Sequence, residues 1–314
     1  MDNRFENKVF VCNMGDDSIS IVDLIGMREL GKIKLANGCS NIKVKEPAFG
    51  PHHLDIDFNK KFLYTANSHN ASISIIDLIL NKVIDSMCVG SCPSHFEICK
   101  KYKTLYVSNS DSNSVSAIDI ETRALLAQVP VGGMPHDIKL SKDGEKLYVL
   151  NIDTNTISVI QTATNTTEAT VYANYNPYHM TLNKANTHLY IVNTSFSNIE
   201  GGYVTIMDTD GFRIVDKIHA GKMPIEAVFD QNEERLFVTD AELNAVNIIN
   251  IHKKKITGRI HVGRMPYGIK KDGKNKYLLV TNMQDNTLSV IDMKTMSIIK
   301  NIPVGAEPNG ILSI

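Results

Sequence analysis

PHDIKLSKDGEKLYVLN, residues 135–151, is one copy of a pattern that is repeated along this chain. Its first residue is a proline that recurs seven times, at Pro51, Pro93, Pro135, Pro177, Pro224, Pro266 and Pro308. Successive prolines are 42 residues apart, except for one interval of 47 residues between Pro177 and Pro224. Self-similarity at a fixed period of this size indicates a repeat architecture.

Each repeat predicts four short β-strands. The first follows the proline, the second ends at an Asn or Asp sixteen residues after the proline, the third usually ends at an Asp, and the fourth runs into the next repeat. Segments such as residues 62–67 and 105–109 are rich in β-branched and aromatic residues and are bounded by turn formers. No segment has a sustained helical period. Four-stranded units repeated in this way are typical of the blades of a β-propeller.

The two ends of the chain complement each other. The first repeat starts at residues 8–13 without a proline-initiated strand, and the last stops at residues 308–314 without the strand that should pair with it. We therefore expect residues 308–314 to be the innermost strand of the blade that holds residues 8–35, which would close the ring and remove an open sheet edge. The sequence thus predicts an all-β, seven-bladed propeller of four-stranded blades, as a single domain over residues 1–314.

On these motifs the chain resembles the YVTN β-propeller repeat family over nearly all of its length. The matching segments are Leu147-Tyr-Val-Leu-Asn151, Leu279-Val-Thr-Asn282, Ser289-Val-Ile-Asp292 and the Pro-x-Gly sequences at 266–268 and 308–310. The family is functionally mixed and includes cell-surface proteins. It is distantly similar to lactonase-type propellers and to streptogramin lyase, which uses a metal in a propeller. The resemblance implies the fold, whereas function has to be argued from the site.

Composition excludes several classes of function. The chain has 43% hydrophobic residues and a formal net charge of −1, so no electrostatic feature favours nucleic acid or an anionic membrane. It contains no apolar run long enough to span a membrane. The N-terminal residues lack the apolar region of a secretory signal, and the five cysteines form no CxxC pair, as is typical of a reducing compartment. We therefore expect a cytoplasmic protein.

One position of the repeat carries the candidate site. Strands of a blade alternate in direction, so the proline and Asn ends of all blades lie at one end of the propeller, here called the top face. The second residue after each proline is ionisable in five of the seven copies: His53, His95, Asp137, His179, Glu226, Gly268 and Gly310. Because these residues begin the innermost strands, we expect them to converge on the mouth of the central channel.

Imidazole and carboxylate groups together are the usual ligands of a catalytic transition metal, here Fe, Zn, Mn, Ni or Cu. The predicted metal ligands are His53, His95 and His179 with Asp137 and Glu226. The predicted acid or base residues are Glu226, Asp137, His136 and Asp240, which lies in the same blade as Glu226. The predicted substrate-binding residues are His52, Tyr178, Tyr267 and Phe196.

Two insertions also fall at the top face. About twelve extra residues lie between positions 36 and 48, and five extra residues lie around positions 196–202. Loops over one mouth of a channel are where a lid or a substrate wall is expected.

Two classes of function remain open at this point. The first is an enzyme that acts on a small molecule, most simply a metal-dependent lyase or hydrolase of a lactone or cyclic ester, with iron or copper redox chemistry as a further alternative. The second is a non-catalytic scaffold whose blades bind a protein or a ligand. In that case the ionisable residues would only cap turns and solvate the channel.

Overall fold

The computed structural model describes residues 5–35, 48–57, 62–196 and 201–314. Within these residues the chain forms 28 β-strands and one short 3-10 helix, Met14–Asp16. The strands form seven antiparallel sheets of four strands each, which are the seven blades. The predicted fold class is confirmed.

In every blade except blade 1, whose innermost strand comes from the other end of the chain, the strands follow one another in sequence from the channel outward. Blade 1 contains β1 (Lys8–Asn13), β2 (Ser18–Asp23) and β3 (Arg28–Lys34), and blade 2 contains β4 (Pro51–Asp57), β5 (Phe62–Asn67), β6 (Ser72–Asp77) and β7 (Lys82–Cys88). Blade 3 contains β8 (Pro93–Cys99), β9 (Thr104–Asn109), β10 (Ser114–Asp119) and β11 (Leu125–Pro130). Blade 4 contains β12 (Pro135–Leu140), β13 (Lys146–Asn151), β14 (Thr156–Gln161) and β15 (Thr166–Tyr172). Blade 5 contains β16 (Pro177–Leu182), β17 (His188–Asn193), β18 (Gly202–Asp208) and β19 (Ile214–Gly221). Blade 6 contains β20 (Pro224–Phe229), β21 (Arg235–Asp240), β22 (Ala245–Asn250) and β23 (Lys255–His261). Blade 7 contains β24 (Pro266–Lys271), β25 (Tyr277–Asn282), β26 (Thr287–Asp292) and β27 (Ser297–Pro303). The last strand is β28 (Pro308–Ser313).

The last strand completes the first blade. β28 pairs antiparallel with β1, with Phe10 opposite Leu312 and Val11 opposite Ile311, so the sheet order of blade 1 is β28-β1-β2-β3. The expected closure of the ring is therefore confirmed, and the inner edge of blade 1 is occupied.

The hydrophobic core consists of seven clusters, one in each seam between neighbouring blades. In the seam between blades 2 and 3, for example, Tyr64 and Ile75 pack with Phe96 and Leu105. The middle strands are buried on both faces, which explains their continuous apolar runs, whereas outer strands such as β7 alternate between exposed and half-buried residues. Burial of each large aliphatic side chain in a seam contributes about 1.5–3 kcal/mol.

A repeated hydrogen-bond pattern fixes the turns of the top face. Asn67 at the end of β5 donates from Nδ2 to the hydroxyls of Ser72 (2.9 Å) and Ser74 (2.8 Å) on β6. The same bonds recur in other blades, from Asn13 to Ser18 and Ser20, for instance. These side-chain bonds hold the second and third strands of a blade in one register, which positions the inner strand beside them.

Most of the two insertions, residues 36–47 and 197–200, lies outside the described residues, and so does the expectation that they form a lid. Within the part of the chain that the structure describes, no helix is long and apolar enough to cross a membrane.

Candidate functional site

The inner strands begin irregularly at the channel mouth. In β4, Pro51 lies opposite Asn67, but His53 already lies opposite Ala66, so one extra residue is accommodated between them. The same shift occurs after Pro135 and Pro177. A bulge of this kind breaks the alternation of side chains along a strand. In blade 2 the first and second residues after the proline, His52 and His53, accordingly both contact His95 of the next blade.

Three imidazoles from consecutive blades meet at this mouth. His52 and His136 are the first residues after their prolines, and His95 is the second residue after its own. One ligand nitrogen from each of the three lies within 4.8 Å of the others. The ring centroids of His95 lie 5.1 Å from His52 and 4.8 Å from His136. Among the described residues, this histidine trio is the group whose geometry could hold a metal ion.

Backbone carbonyls orient two of these rings. His52 donates from Nδ1 to the carbonyl oxygen of Ser94 (3.1 Å), and His136 donates from Nδ1 to that of Tyr178 (3.0 Å). In each case the acceptor is the residue 42 positions later, in the next blade. A ring that donates from Nδ1 presents the lone pair of Nε2, which is the usual arrangement of a metal-ligating histidine.

The third ring has an unused nitrogen. His95 is only 6% exposed, and its Nδ1 atom has no hydrogen-bond partner within the described parts of the chain. An unpaired buried polar atom costs about 1–3 kcal/mol, so it normally finds a partner or a function. A bound ion in the histidine trio would give the imidazole of His95 a partner.

Burial keeps the trio neutral. It lowers the pKa of His52 to about 4 and that of His136 to about 3, and it lowers the pKa of His95 well below its ordinary value. Neighbouring imidazoles lower the pKa of His95 further, because two adjacent cations would repel each other. At neutral pH each of the three rings is therefore uncharged and keeps one nitrogen lone pair that could bind a metal.

Two tyrosines complete one side of the mouth. The hydroxyl of Tyr267 donates to Nε2 of His52 (3.2 Å) and is hydrogen-bonded to the hydroxyl of Tyr178. The ring of Tyr178 in turn stacks at 4.2 Å on the ring of His136. The predicted substrate-binding residues His52, Tyr178 and Tyr267 are thus brought together. The ring of Phe196 lies 6.2 Å from that of Tyr178 and is 57% exposed, at the outer rim.

The second residue after each proline also has a structural task in several blades. Oδ2 of Asp137, Nδ1 of His179 and Oε2 of Glu226 each accept a hydrogen bond from a backbone N–H in the following blade. The three donors are Met180 (2.7 Å), Ala227 (3.4 Å) and Ile269 (3.2 Å). These residues therefore fasten one inner strand to the next.

Glycine at the same position has a steric cause. A Cβ atom on Gly268 would lie 2.2 Å from the carbonyl oxygen of Asn309, and one on Gly310 would lie 2.3 Å from that of His52. The backbones approach too closely there for any side chain. The residue type at this position therefore depends on how closely neighbouring inner strands approach each other, as well as on the chemical role of the side chain.

The buried carboxylates of this ring hold protons unusually well. Burial raises the pKa of Asp137 to about 7 and also raises the pKa of Glu226. Oδ2 of Asp137 lies 3.8 Å from Nε2 of His179. Two residues further along β12, Lys139 forms an ion pair with Glu97. Asp137 and Glu226 therefore remain candidates for acid–base work in the channel.

The predicted metal ligands are only partly brought together. His95 belongs to the histidine trio, and the ring of His53 packs on it at 4.8 Å, but Asp137, His179 and Glu226 are engaged in the seams. His52 and His136 were predicted as a substrate-binding and an acid–base residue rather than as metal ligands, and the register shifts after their prolines accompany their approach to His95. The consecutive pair His52-His53 was the available signal that two positions per strand face the channel.

Asp240 lies apart from this group, in a turn of the top face. Its carboxylate is fully buried and accepts hydrogen bonds from the N–H groups of Lys222 (2.8 Å), Met223 (3.1 Å) and Leu243 (3.1 Å) and from Nδ2 of Asn247 (3.1 Å). The carboxylate that was predicted to act as an acid or base is therefore occupied as a turn cap in this structure.

Comparison with known proteins agrees with the fold. Residues 3–171, just over half of the chain, match a family model described as "Lactonase, 7-bladed beta-propeller". No curated protein matches the chain. Similar solved structures include the hydrazine synthase of Kuenenia stuttgartiensis, at 21% identity over 88% of this chain and 92% of that chain, with a TM-score of 0.76.

Two further structures cover almost the whole chain. A functionally unknown protein from Desulfotomaculum acetoxidans is 11% identical over 98% of both chains, with a TM-score of 0.80. A candidate 6-phosphogluconolactonase from Bacteroides fragilis is 16% identical over 99% of both chains, with a TM-score of 0.76. At such low identities these likenesses concern the fold alone.

Proposed function

This chain belongs to the lactonase family of seven-bladed β-propellers, and we propose that it is a metal-dependent hydrolase that opens a lactone or related cyclic ester at the channel mouth. The family membership supports a hydrolase of this kind. The observation that carries the metal is the histidine trio, whose ligand nitrogens lie within 4.8 Å of one another. Two of its rings are oriented by backbone carbonyls, as ligating imidazoles usually are.

A three-imidazole set narrows the choice of metal. Neutral imidazole suits Zn, Fe, Cu and Ni, whereas Mn is better served by carboxylate and water. Three protein ligands leave a position open for substrate or water, which is the composition of a catalytic site. When bound, such a metal would polarise the carbonyl of the substrate or lower the pKa of a bound water.

The residues around the trio fit the rest of the reaction. Hydrolysis joins the oxygen of water to the carbonyl carbon, breaks the bond to the ring oxygen, and returns a proton to that oxygen. Asp137, whose pKa is raised to about 7, could accept the proton of the water. The hydroxyl of Tyr267 donates its one hydrogen to Nε2 of His52. With that nitrogen bound to a metal, the hydroxyl would be released and could then donate a hydrogen bond to the substrate oxygen.

The decisive experiment combines metal analysis with a matched pair of variants. The protein is purified without chelator or nickel resin, and its metal content is measured by elemental mass spectrometry. We expect about one equivalent of one transition metal, which is lost in His52→Ala/His95→Ala/His136→Ala. The control is His53→Ala/His179→Ala, which removes two imidazoles of the same channel outside the trio and should retain the metal.

The reaction class is read from the product. Hydrolysis gives a hydroxy acid heavier than the lactone by one water, whereas a lyase gives an isomer of the substrate. The activity should disappear on chelation and return with the metal that the analysis identified. Absence of metal in the unaltered protein even after reconstitution, or its equal loss in both variants, would contradict the metal centre and favour a non-catalytic scaffold.

The redox alternative has one observation in its favour. An all-imidazole set suits copper and iron as well as zinc, and the hydroxyl of Tyr267 contacts one of its members directly. Copper or iron in the purified protein, together with a metal-centred optical spectrum and no lactone opening, would support redox chemistry at the same three histidines.

A further inference from the structure

The mouth of the channel has two chemically different halves. In blades 2 to 4 the first residues after the prolines are His52, Ser94 and His136, and in blades 5 to 7 they are Tyr178, Ile225 and Tyr267. The first half continues as a polar surface, where the hydroxyls of Ser68 and Ser110 donate to backbone carbonyls. The histidine trio thus lies on one side of the mouth and faces a different surface across it.

The opposite half is an apolar cluster, here called the apolar wall. Its buried members are Ile225, Ala241 and Tyr267, and Tyr178, Met223, Met265 and Met283 pack against them. It differs from the seven seam clusters because its members come from the strand ends and turns of the top face rather than from the middle of the sheets. Three methionines give it an adaptable surface of the kind that accepts varied apolar ligands.

The apolar wall is continuous with the histidine trio. Tyr267 is a member of the wall, and its hydroxyl also donates to Nε2 of His52. Tyr178 stacks on His136 with one face and contacts the exposed ring of Phe196 at 6.2 Å. A molecule whose reacting oxygen lies at the trio would therefore have the apolar wall within reach of its substituents.

Among the described residues, three strand-end positions of each blade frame the mouth, and none of them is a Lys or Arg. The residue before each proline, the first residue after it, and the residue after the Asn or Asp that ends the second strand include no Lys or Arg in any blade. In the neighbouring turns, Lys222 is paired with Glu242 (2.9 Å) and Arg264 with Asp285 (2.6 Å). A phosphorylated sugar lactone would find no free cation at these framing positions to bind its phosphate.

We infer that the substrate is a lactone or cyclic ester with an apolar alkyl or aryl substituent, which lies on the apolar wall while the ester group faces the histidine trio. The placement of the ester group rests on the proposed function. The placement of the substituent rests on the apolar wall alone. Each methylene that the wall buries should raise affinity about fourfold, so three buried methylenes raise it about sixtyfold. Sugar lactones and their phosphates should be poor ligands.

Binding is measured separately from turnover. Cyclopentanone and 2-hexylcyclopentanone have a ring carbonyl but no ester bond, so they bind without being hydrolysed. Calorimetric titration of the metal-loaded protein should show the hexyl compound binding at least tenfold more tightly. Hydrolysis of γ-butyrolactone, γ-decalactone and glucono-δ-lactone is then compared by kcat/KM, and γ-decalactone should be preferred by a similar factor.

The chain supplies a matched pair of variants for this test. Met265 and Met134 both precede a proline in the left-handed backbone region, at φ values of 54°, but Met265 belongs to the apolar wall and Met134 does not. Asn fills the same position in blade 5 as Asn176, so it suits the backbone. Met265→Asn should reduce the preference for the hexyl compound about fourfold or more, and Met134→Asn should leave it unchanged.

The two proposals fail in different ways. Equal binding of the two ketones, no binding of either, or equal effects of the two variants would overturn the apolar substituent, whatever the protein catalyses. A clear preference for the hexyl ketone without hydrolysis of any lactone would leave the apolar wall as a ligand site and refute the hydrolase. Preference for glucono-δ-lactone over γ-decalactone would overturn the substituent and leave the hydrolase standing.

Discussion

Replacement of Asp240 by Asn should destabilise blade 6, and a second replacement should restore much of the loss. Oδ2 of Asp240 accepts hydrogen bonds from Lys222 N and Asn247 Nδ2, and Oδ1 accepts hydrogen bonds from Met223 N and Leu243 N. Asp240→Asn would replace one of the two oxygens by an amide nitrogen, which cannot accept the two hydrogen bonds made to that oxygen. Two hydrogen bonds to a buried charged acceptor contribute about 1.5–3 kcal/mol each, so we expect the free energy of unfolding to fall by about 4 kcal/mol.

The other blades show what the rescue requires. In the regular repeats an Asn occupies the position of Asp240 and a Ser occupies the position of Asn247, with Nδ2 of Asn282 donating to Ser289 at 2.8 Å, for example. Asn247→Ser alone loses the bonds that Asn247 donates to Asp240 and to the carbonyl of Ala220 and the bond that it accepts from Nε of Arg259, at a cost of about 3 kcal/mol. In Asp240→Asn/Asn247→Ser the introduced amide can donate to the introduced hydroxyl, so the double variant should lose only about 3 kcal/mol.

Urea denaturation of the four proteins measures this coupling. The control is Asp208→Asn, which makes the same chemical change in a surface turn and should cost much less than Asp240→Asn. Strictly additive losses in the double variant would refute the turn-cap reasoning. The double variant also tests the prediction that Asp240 is catalytic. If it folds but no longer opens lactones, the carboxylate of Asp240 takes part in catalysis.

Three further predictions concern the mouth and the seams. Tyr267→Phe removes the hydroxyl that occupies Nε2 of His52, so isothermal titration should show metal binding about fivefold tighter, whereas weaker binding would make the phenol oxygen itself a ligand. In chelator-treated protein the five channel histidines have pKa values below those of the unfolded chain, so the native state binds fewer protons and stability should fall as pH decreases from about 6.5 toward 4. Asp137 has the opposite effect: its raised pKa stabilises the native state at low pH, and this stabilisation is lost as pH rises toward 7. Asp137→Asn should therefore make stability fall more steeply as pH decreases. If urea titrations showed the same dependence of the unfolding free energy on pH in both proteins, the assignment would be contradicted. Gly268→Ala places a Cβ 2.2 Å from a backbone oxygen of blade 1 and should cost about 3 kcal/mol, while Gly31→Ala on an outer strand, with nothing within 4 Å, should be neutral or slightly stabilising in the same assay.

The fold could be predicted because the sequence pattern that specifies it repeats along the chain. The spacing of Pro51, Pro93 and the later prolines gives the number of blades, and the incomplete first and last repeats give the closure between β28 and β1. Neither inference depends on any single contact. The packing of each seam follows from the same apolar strands that define the repeat.

The sequence predicted a site at the channel mouth centred on the second residue after each proline, whereas the histidine trio in the structure includes two first residues, His52 and His136. Strict alternation places His53 in the channel and His52 out of it, whereas the bulge in β4 turns both inward. Bulges depend on how an inner strand meets the seam, which a pattern of residue types does not encode. Asp240 could have been recognised as a cap, because Asn247 replaces the usual Ser in the same repeat, and this paired change points to a local hydrogen bond.

The closure of blade 1 also sets the order of events during folding. β1 and β28 are separated by almost the entire chain, and joining segments so far apart costs about 5 kcal/mol of loop-closure entropy. During synthesis β1 is made early and has to wait for β28 to leave the ribosome before its inner edge is covered. Until then the edge of β1 is open to pairing with other strands, so nascent chains should be most prone to aggregation just before the last strand emerges.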